Sequence, residues 1–161
     1  MKKFKIPKIF NTIPVYAHCD IPCGIYDPIV AKIAAQTVLK MDVKIEAVEV
    51  PLQTTDDSGN ESTIYFASSR YIAVKEEHAQ IVKNELNILW ADYFKPEHLE
   101  KYPELHDLFW NANKLAGANK QSVNTSSAKK LVETVDQIAK IFWATKGVDY
   151  NDPVSDIRYG S

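Results

Sequence analysis

Apolar residues recur at helical spacing in four separate stretches of the chain, with polar or proline-marked connections between them. The first stretch opens at Asp27-Pro28, a capping residue followed by proline at the first helical position. It places Val30, Ala34, Val38, Met41, Ile45 and Val48 on one stripe before Pro51 ends it. Residues 52–63 (LQTTDDSGNEST) read as a polar loop containing the turn dipeptide Ser58-Gly59. The run Thr63 to Phe66 is β-prone but short, and it has no evident partner strand. A second helix is expected from Ser68 or Ser69, with Val82, Leu86, Leu89 and Tyr93 on its stripe. Val74, His78, Ile81 and Ile88 form a flanking row, and Pro96 stops the helix.

A third helix is expected from Pro103-Glu104, carrying Leu105, Leu108, Ala112 and Leu115 and ending at Gly117. After a polar connection at 119–127, with Asn124, Thr125 or Ser126 available as cap, the fourth shows Leu131, Val135, Ile138 and Phe142. Gly147 closes it. The remainder, 148–161, has no periodicity and is expected to be loosely held. Four amphipathic helices with mostly short connections predict an all-α, antiparallel four-helix bundle.

Composition agrees with that class. The chain has 161 residues, 45% of them hydrophobic, and only five glycines. A single domain of this length buries roughly two-thirds of its unfolded surface. No apolar run approaches the ~20 residues that a membrane span requires, so no membrane association is expected.

Charge separates the start of the chain from the rest. Residues 1–17 (MKKFKIPKIFNTIPVYA) hold four lysines and no acid, and without them the formal charge moves from −2 to −6. A basic start and a small residue at Ala17 loosely suit an export signal. Pro7, Lys8, Asn11 and Pro14 interrupt its apolar core, so a propeptide in a cytoplasmic protein is the better reading. The acidic remainder offers no basic stripe for phosphates, which excludes a nucleic-acid partner.

Both cysteines, Cys19 and Cys23, lie in the run HCDIPCGIYDP at 18–28. A disulfide closing so short a loop would remove little unfolded-state entropy from a domain large enough not to need it. Two thiolates can reach one metal if the chain between them turns, which Pro22 and Gly24 favour. His18 adds nitrogen. Such donors suit zinc, copper or nickel, and ligand type alone does not choose. A structural zinc site wants four side-chain ligands, and only three cluster here. If the Ala17–His18 bond is cut, His18 gains a free α-amine. That amine, the Cys19 amide nitrogen and the Cys19 sulfur then close two fused five-membered chelate rings, and Cys23 sulfur completes a flat set. Flat coordination favours nickel(II) or copper(II) and leaves the His18 imidazole to bind axially.

The run HCDIPCGIYDP resembles the nickel hook of the nickel-type superoxide dismutases, whose mature N-terminus reads H-C-x-x-P-C-G-x-Y. LWADYFKPEHLEKYPELH (89–106) and QIAKIFWATK (137–146) are similar to the same family. The resemblance implies a four-helix bundle assembled as a homohexamer, with one nickel ion per subunit held by His18, Cys19 and Cys23. It implies a maturation protease cutting Ala17–His18, and disproportionation of superoxide by Ni(II)/Ni(III) cycling. Tyr26 and Tyr93 then stand over the open metal face, holding water or an approaching anion, and Lys95 is a nearby cation. Asp20 hydrogen-bonds within the hook and Pro22 fixes its turn.

The chain departs from the family pattern where a glutamate and an arginine orient the axial imidazole. Ala34 and His78 align there, so His78 alone is expected to bond the His18 ring. The connection at about 50–68 is also longer than the family's. His98 and His106 read as capping or surface residues, and Trp90, Trp110 and Trp143 as packing. Two other classes compete: a thiol redox protein, which lacks C-x-x-C spacing, and a nickel or copper carrier, which has no need of Tyr26, Tyr93 and Lys95.

Overall fold

The computed structural model describes residues 24–47 and 62–159, with side chains in the second span described from Ser68. The described residues form helices α1 (Ile29–Glu46), α2 (Ser62–Ile88), α3 (Pro96–Lys101), α4 (Leu105–Gln121), α5 (Thr125–Thr145) and α6 (Ser155–Tyr159). A π-helical turn, Leu89–Tyr93, extends α2. Among the described residues there is no strand.

Helices α1, α2, α4 and α5 form the bundle, each packed on two neighbours in the order α1–α2–α4–α5 and back to α1. Their polar cross-links give the directions. Asp42 and Glu46, late in α1, bond to Asn124 and Thr125 at the start of α5. Lys75 of α2 meets Asp42 of α1 and the Ser122 carbonyl just after α4. Adjacent helices therefore run antiparallel, as expected.

The α5 stripe appears as read: Leu131, Val135, Ile138 and Phe142 are all fully buried. Asn124 caps this helix, accepting from Ser127 N at 2.9 Å. Gly147 ends it with φ 73°, and Val148 N donates back to Trp143 O, as a left-handed C-terminal turn requires. At the start of α1 the Asp27 carboxylate accepts from Ile29 N at 2.8 Å.

Several expectations are corrected. The buried face of α1 is Ala31, Ala34, Ala35, Val38, Leu39 and Asp42, while Val30 is 46% exposed. The helix is rotated because three alanines permit close approach and because Lys32 and Asp42 are drawn inward to ion partners. Helix α2 begins at Ser62, so Thr63 to Phe66 are helical. Their strand propensity is weak beside the context of a bundle with no strand to pair with. Helix α4 runs through Gly117 to Gln121. Its last turn is held by buried Asn119, whose Nδ2 donates to Leu115 O and Ser127 Oγ, outweighing the ~1 kcal/mol cost of an interior glycine. Trp110 is 59% exposed beneath the Lys114 ammonium, not packed inside.

The segment after Gly147 is docked rather than loose. Lys32, 2% exposed, bonds Asp136 Oδ1 at 2.8 Å, Asp152 Oδ2 at 2.9 Å and Tyr150 Oη at 3.2 Å. Arg158 forks onto both Asp152 oxygens, Gln36 donates to Ser155 Oγ, and Tyr150 stacks on Trp143. Burial would depress the Lys32 ammonium, but bonds from Asp136, Asp152 and Tyr150 outweigh it and hold its pKa above the usual lysine range. Hydrogen bonds from Arg158 and then Lys32 hold Asp152 down at about 2.

Truncation after Gly147 should therefore leave Lys32 buried with Asp136 alone. The expected loss is about 2–3 kcal/mol, below the ~3–5 of a fully severed buried pair. A carboxylate with a depressed pKa stabilises above its unfolded value of ~3.9, and that contribution disappears as pH falls toward about 2. A raised lysine stabilises at every pH below ~10. Urea titrations should show the full chain's advantage constant from about pH 5 to 9 and shrinking below about pH 4. Equal stability of the two chains at pH 7 would refute the docking role.

Candidate functional site

His18, Cys19, Asp20, Pro22 and Cys23 lie outside the described residues, as does the Ala17–His18 bond and most of the long connection before α2. Gly24 has φ 85°, a left-handed conformation that turns the chain directly after Cys23. Asp27 then caps α1 and places Tyr26 half-buried against the bundle core.

Tyr93 meets Tyr26 there. Their ring centroids are 5.7 Å apart with planes tilted by 56°, although the residues are distant in sequence. Tyr93 is aimed by the π turn, in which Phe94 N bonds back to Leu89 O at 3.1 Å. Such single turns are common at functional sites because they redirect a side chain at the end of a helix. Below the ring lies Phe142 of α5 at 4.5 Å, and His98 stacks beside it at 5.7 Å and 17°. The phenol bonds Thr145 Oγ1 at 2.5 Å.

One cation beside Tyr93 was not singled out from the sequence. Lys146 is exposed, with Nζ 5.4 Å from the Tyr93 ring centroid and 5.1 Å from that of Phe142. Its signal was its place beside Thr145 at the end of QIAKIFWATK, but only folding brings it to Tyr93. Lys95 is exposed two residues beyond Tyr93, and its backbone N–H donates to His98 Nδ1 at 3.2 Å. His98 is thus the capping residue expected. His106 is exposed at the edge of Trp90, which packs on Phe109.

His78 is half-buried on α2, its Nδ1 2.8 Å from Val74 O. A carbonyl can only accept, so Nδ1 carries hydrogen and a neutral ring keeps Nε2 as an acceptor. Its pairing with His18 falls outside the described residues. Ala34 is 2% exposed in the core and has no polar side-chain atom to offer. Among the described residues no group of His, Cys, Asp or Glu could hold a metal, and no helix is long and apolar enough to cross a membrane.

The hook's donor set fits nickel chemically: two sulfurs and histidine nitrogen, immediately ahead of the Gly24 turn. The chain is 40% identical over 134 residues to the Superoxide dismutase [Ni] of Streptomyces seoulensis, covering 83% of this chain and 92% of that one. It is equally identical, with the same coverage, to the enzyme of that name from Streptomyces coelicolor. A crystal structure of Ni-containing superoxide dismutase, with ligation corresponding to the oxidised state, superposes with a TM-score of 0.67. There the identity is 39%, over 81% of this chain and 100% of that one. Another native nickel superoxide dismutase structure matches at a TM-score of 0.66 and 38% identity, over 80% of this chain and 99% of that one. With the model of nickel-containing superoxide dismutases matching residues 14–146, this chain belongs to that family.

Proposed function

We propose that the chain disproportionates superoxide to oxygen and hydrogen peroxide, using nickel held by His18, Cys19 and Cys23 after removal of residues 1–17. The observation that carries this reading is the Tyr26–Tyr93 pair standing where the hook enters the bundle. When bound, the metal supplies one-electron exchange between its divalent and trivalent states. The rest falls to the chain. Anionic Cys19 and Cys23 sulfurs, with the Cys19 amidate, would hold the metal and supply the charge that favours its higher state. The freed His18 amine and its imidazole would supply the nitrogen donors.

Tyr26 and Tyr93 order what approaches the open face. Lys95 and Lys146 raise the local concentration of an anion around an otherwise acidic protein. The Nε2 lone pair of His78 suits it to accept from the non-coordinating N–H of His18, replacing an acid–base pair with one residue. Asp20 and Pro22 shape the hook. A carrier would need neither the tyrosine pair nor its flanking cations, so catalysis is the better reading.

The assembly is proposed to be a homohexamer, supported by Ile25, Val30 and Ile33 facing outward at 74%, 46% and 43% exposure. A cytoplasmic location with a dedicated maturation protease is supported by the interrupted apolar stretch of the leader. The deciding experiment is the intact mass of protein purified from cells, together with metal analysis. The expected species begins at His18 and carries one nickel per subunit. An active species beginning at Met1, or one loaded with another metal, would overturn the proposal.

A further inference from the structure

Thr145, the last residue of α5, lies between two oxygens. Its Oγ1 is 2.6 Å from the Phe142 carbonyl oxygen and 2.5 Å from the Tyr93 phenol. The carbonyl can only accept, so the single threonine hydrogen is committed to it. The phenol must then donate its own hydrogen to Thr145 Oγ1. The last turn of α5 builds this arrangement, because Lys146 N turns back to Trp143 O and leaves the Phe142 carbonyl to the threonine hydroxyl.

We propose that Thr145 is a positioning residue that makes Tyr93 a hydrogen-bond acceptor, and not a donor, toward whatever stands at the open face. Neither Thr145 nor the direction of the Tyr93 proton follows from the assigned activity. The consequence is specificity. A phenol whose proton points into the bundle accepts from water or hydrogen peroxide and offers nothing to a bare anion. Tyr93 therefore orders a donor molecule, and superoxide is drawn in by Lys95 and Lys146 instead. This rests on the reading that Tyr93 faces the metal site.

The test uses the full processed protein with Thr145→Val, Thr145→Ser, Tyr93→Phe and the Tyr93→Phe/Thr145→Val double variant, with nickel content measured for each. The first readout is made on metal-free protein: the infrared C–O stretch of ring-labelled tyrosine, assigned to Tyr93 by its loss in Tyr93→Phe. That band distinguishes a donating phenol from one that does not donate. The second is kcat/KM for superoxide.

Thr145→Val should move the band and lower kcat/KM about tenfold, the low end for partners that orient a metal site. Thr145→Ser should restore most of both, and Thr145→Val should have no further effect once Tyr93 is phenylalanine. An unmoved band in Thr145→Val, or losses that multiply in the double variant, would overturn the proposal. A moved band with full kcat/KM in Tyr93→Phe would instead overturn the placement of Tyr93 at the site, and the proposal's functional half with it.

Discussion

Changing Cys19 or Cys23 to serine should empty the metal site and lower superoxide turnover by at least about 100-fold, because partners that merely orient ligands are already worth ~10–100-fold. Serine keeps the size and hydrogen bonding of cysteine but replaces a soft, readily ionised sulfur with a hard hydroxyl that stays protonated near neutral pH. The higher nickel state would then lose one of the two proposed anionic sulfur donors. A chain with Ala17–His18 left uncut should fail as completely for a different reason. Its His18 nitrogen is an amide, whose lone pair is delocalised into the carbonyl, so the two fused chelate rings cannot close at neutral pH. Elemental analysis and a superoxide assay check both cases. Stoichiometric nickel with undiminished turnover in a serine variant or an uncut chain would remove the basis of the proposed chemistry.

The largest stability effect is expected away from the site. Asp42 and Lys75 are 0% and 2% exposed and lie 3.2 Å apart between α1 and α2. Asp42 also accepts from Asn124 N, and Lys75 donates to Ser122 O at 2.6 Å, so the pair ties α1 and α2 to the α4–α5 connection. Asp42→Ala leaves an ammonium buried without its counter-charge, at a cost of about 3–5 kcal/mol. For a chain of this size that lowers Tm by roughly 10 °C, at ~2–4 °C per kcal/mol. Replacing both residues with apolar ones of similar volume, as in Asp42→Leu/Lys75→Met, should recover most of the loss, because neither charge is then desolvated. Calorimetry on the three proteins decides it. A single variant as stable as the parent, or a double variant worse than the single, would show that the pair does not act as a buried ion pair.

Both experiments probe features of unequal visibility in the chain. The hook is local: its proposed ligands lie within six residues, and the amine, amide and sulfur of His18 and Cys19 are neighbours by covalent structure. Its donor chemistry is therefore complete in HCDIPC before any folding. The α5 stripe is similarly local, since a 3.6-residue period and a capping Asn124 need no partner to be recognised. Periodicity fares worse on α1. Ala34 and Val38 of its predicted stripe are buried, but apolar size counts Val30 for the core, whereas ion pairing turns Lys32 and Asp42 inward.

The sequence by itself determined the helical class and the number of bundle helices, and it carries the donors of the proposed metal site, because each depends on residues close together along the chain. Only the tertiary structure decided which faces meet, that Tyr150 and Asp152 close over Lys32, and that Tyr26, Tyr93, Thr145 and Lys146 converge. Those groups come from three separate segments of the chain. Burial, the π turn and antiparallel packing bring them together, and these are consequences of distance in space to which spacing in sequence gives no access.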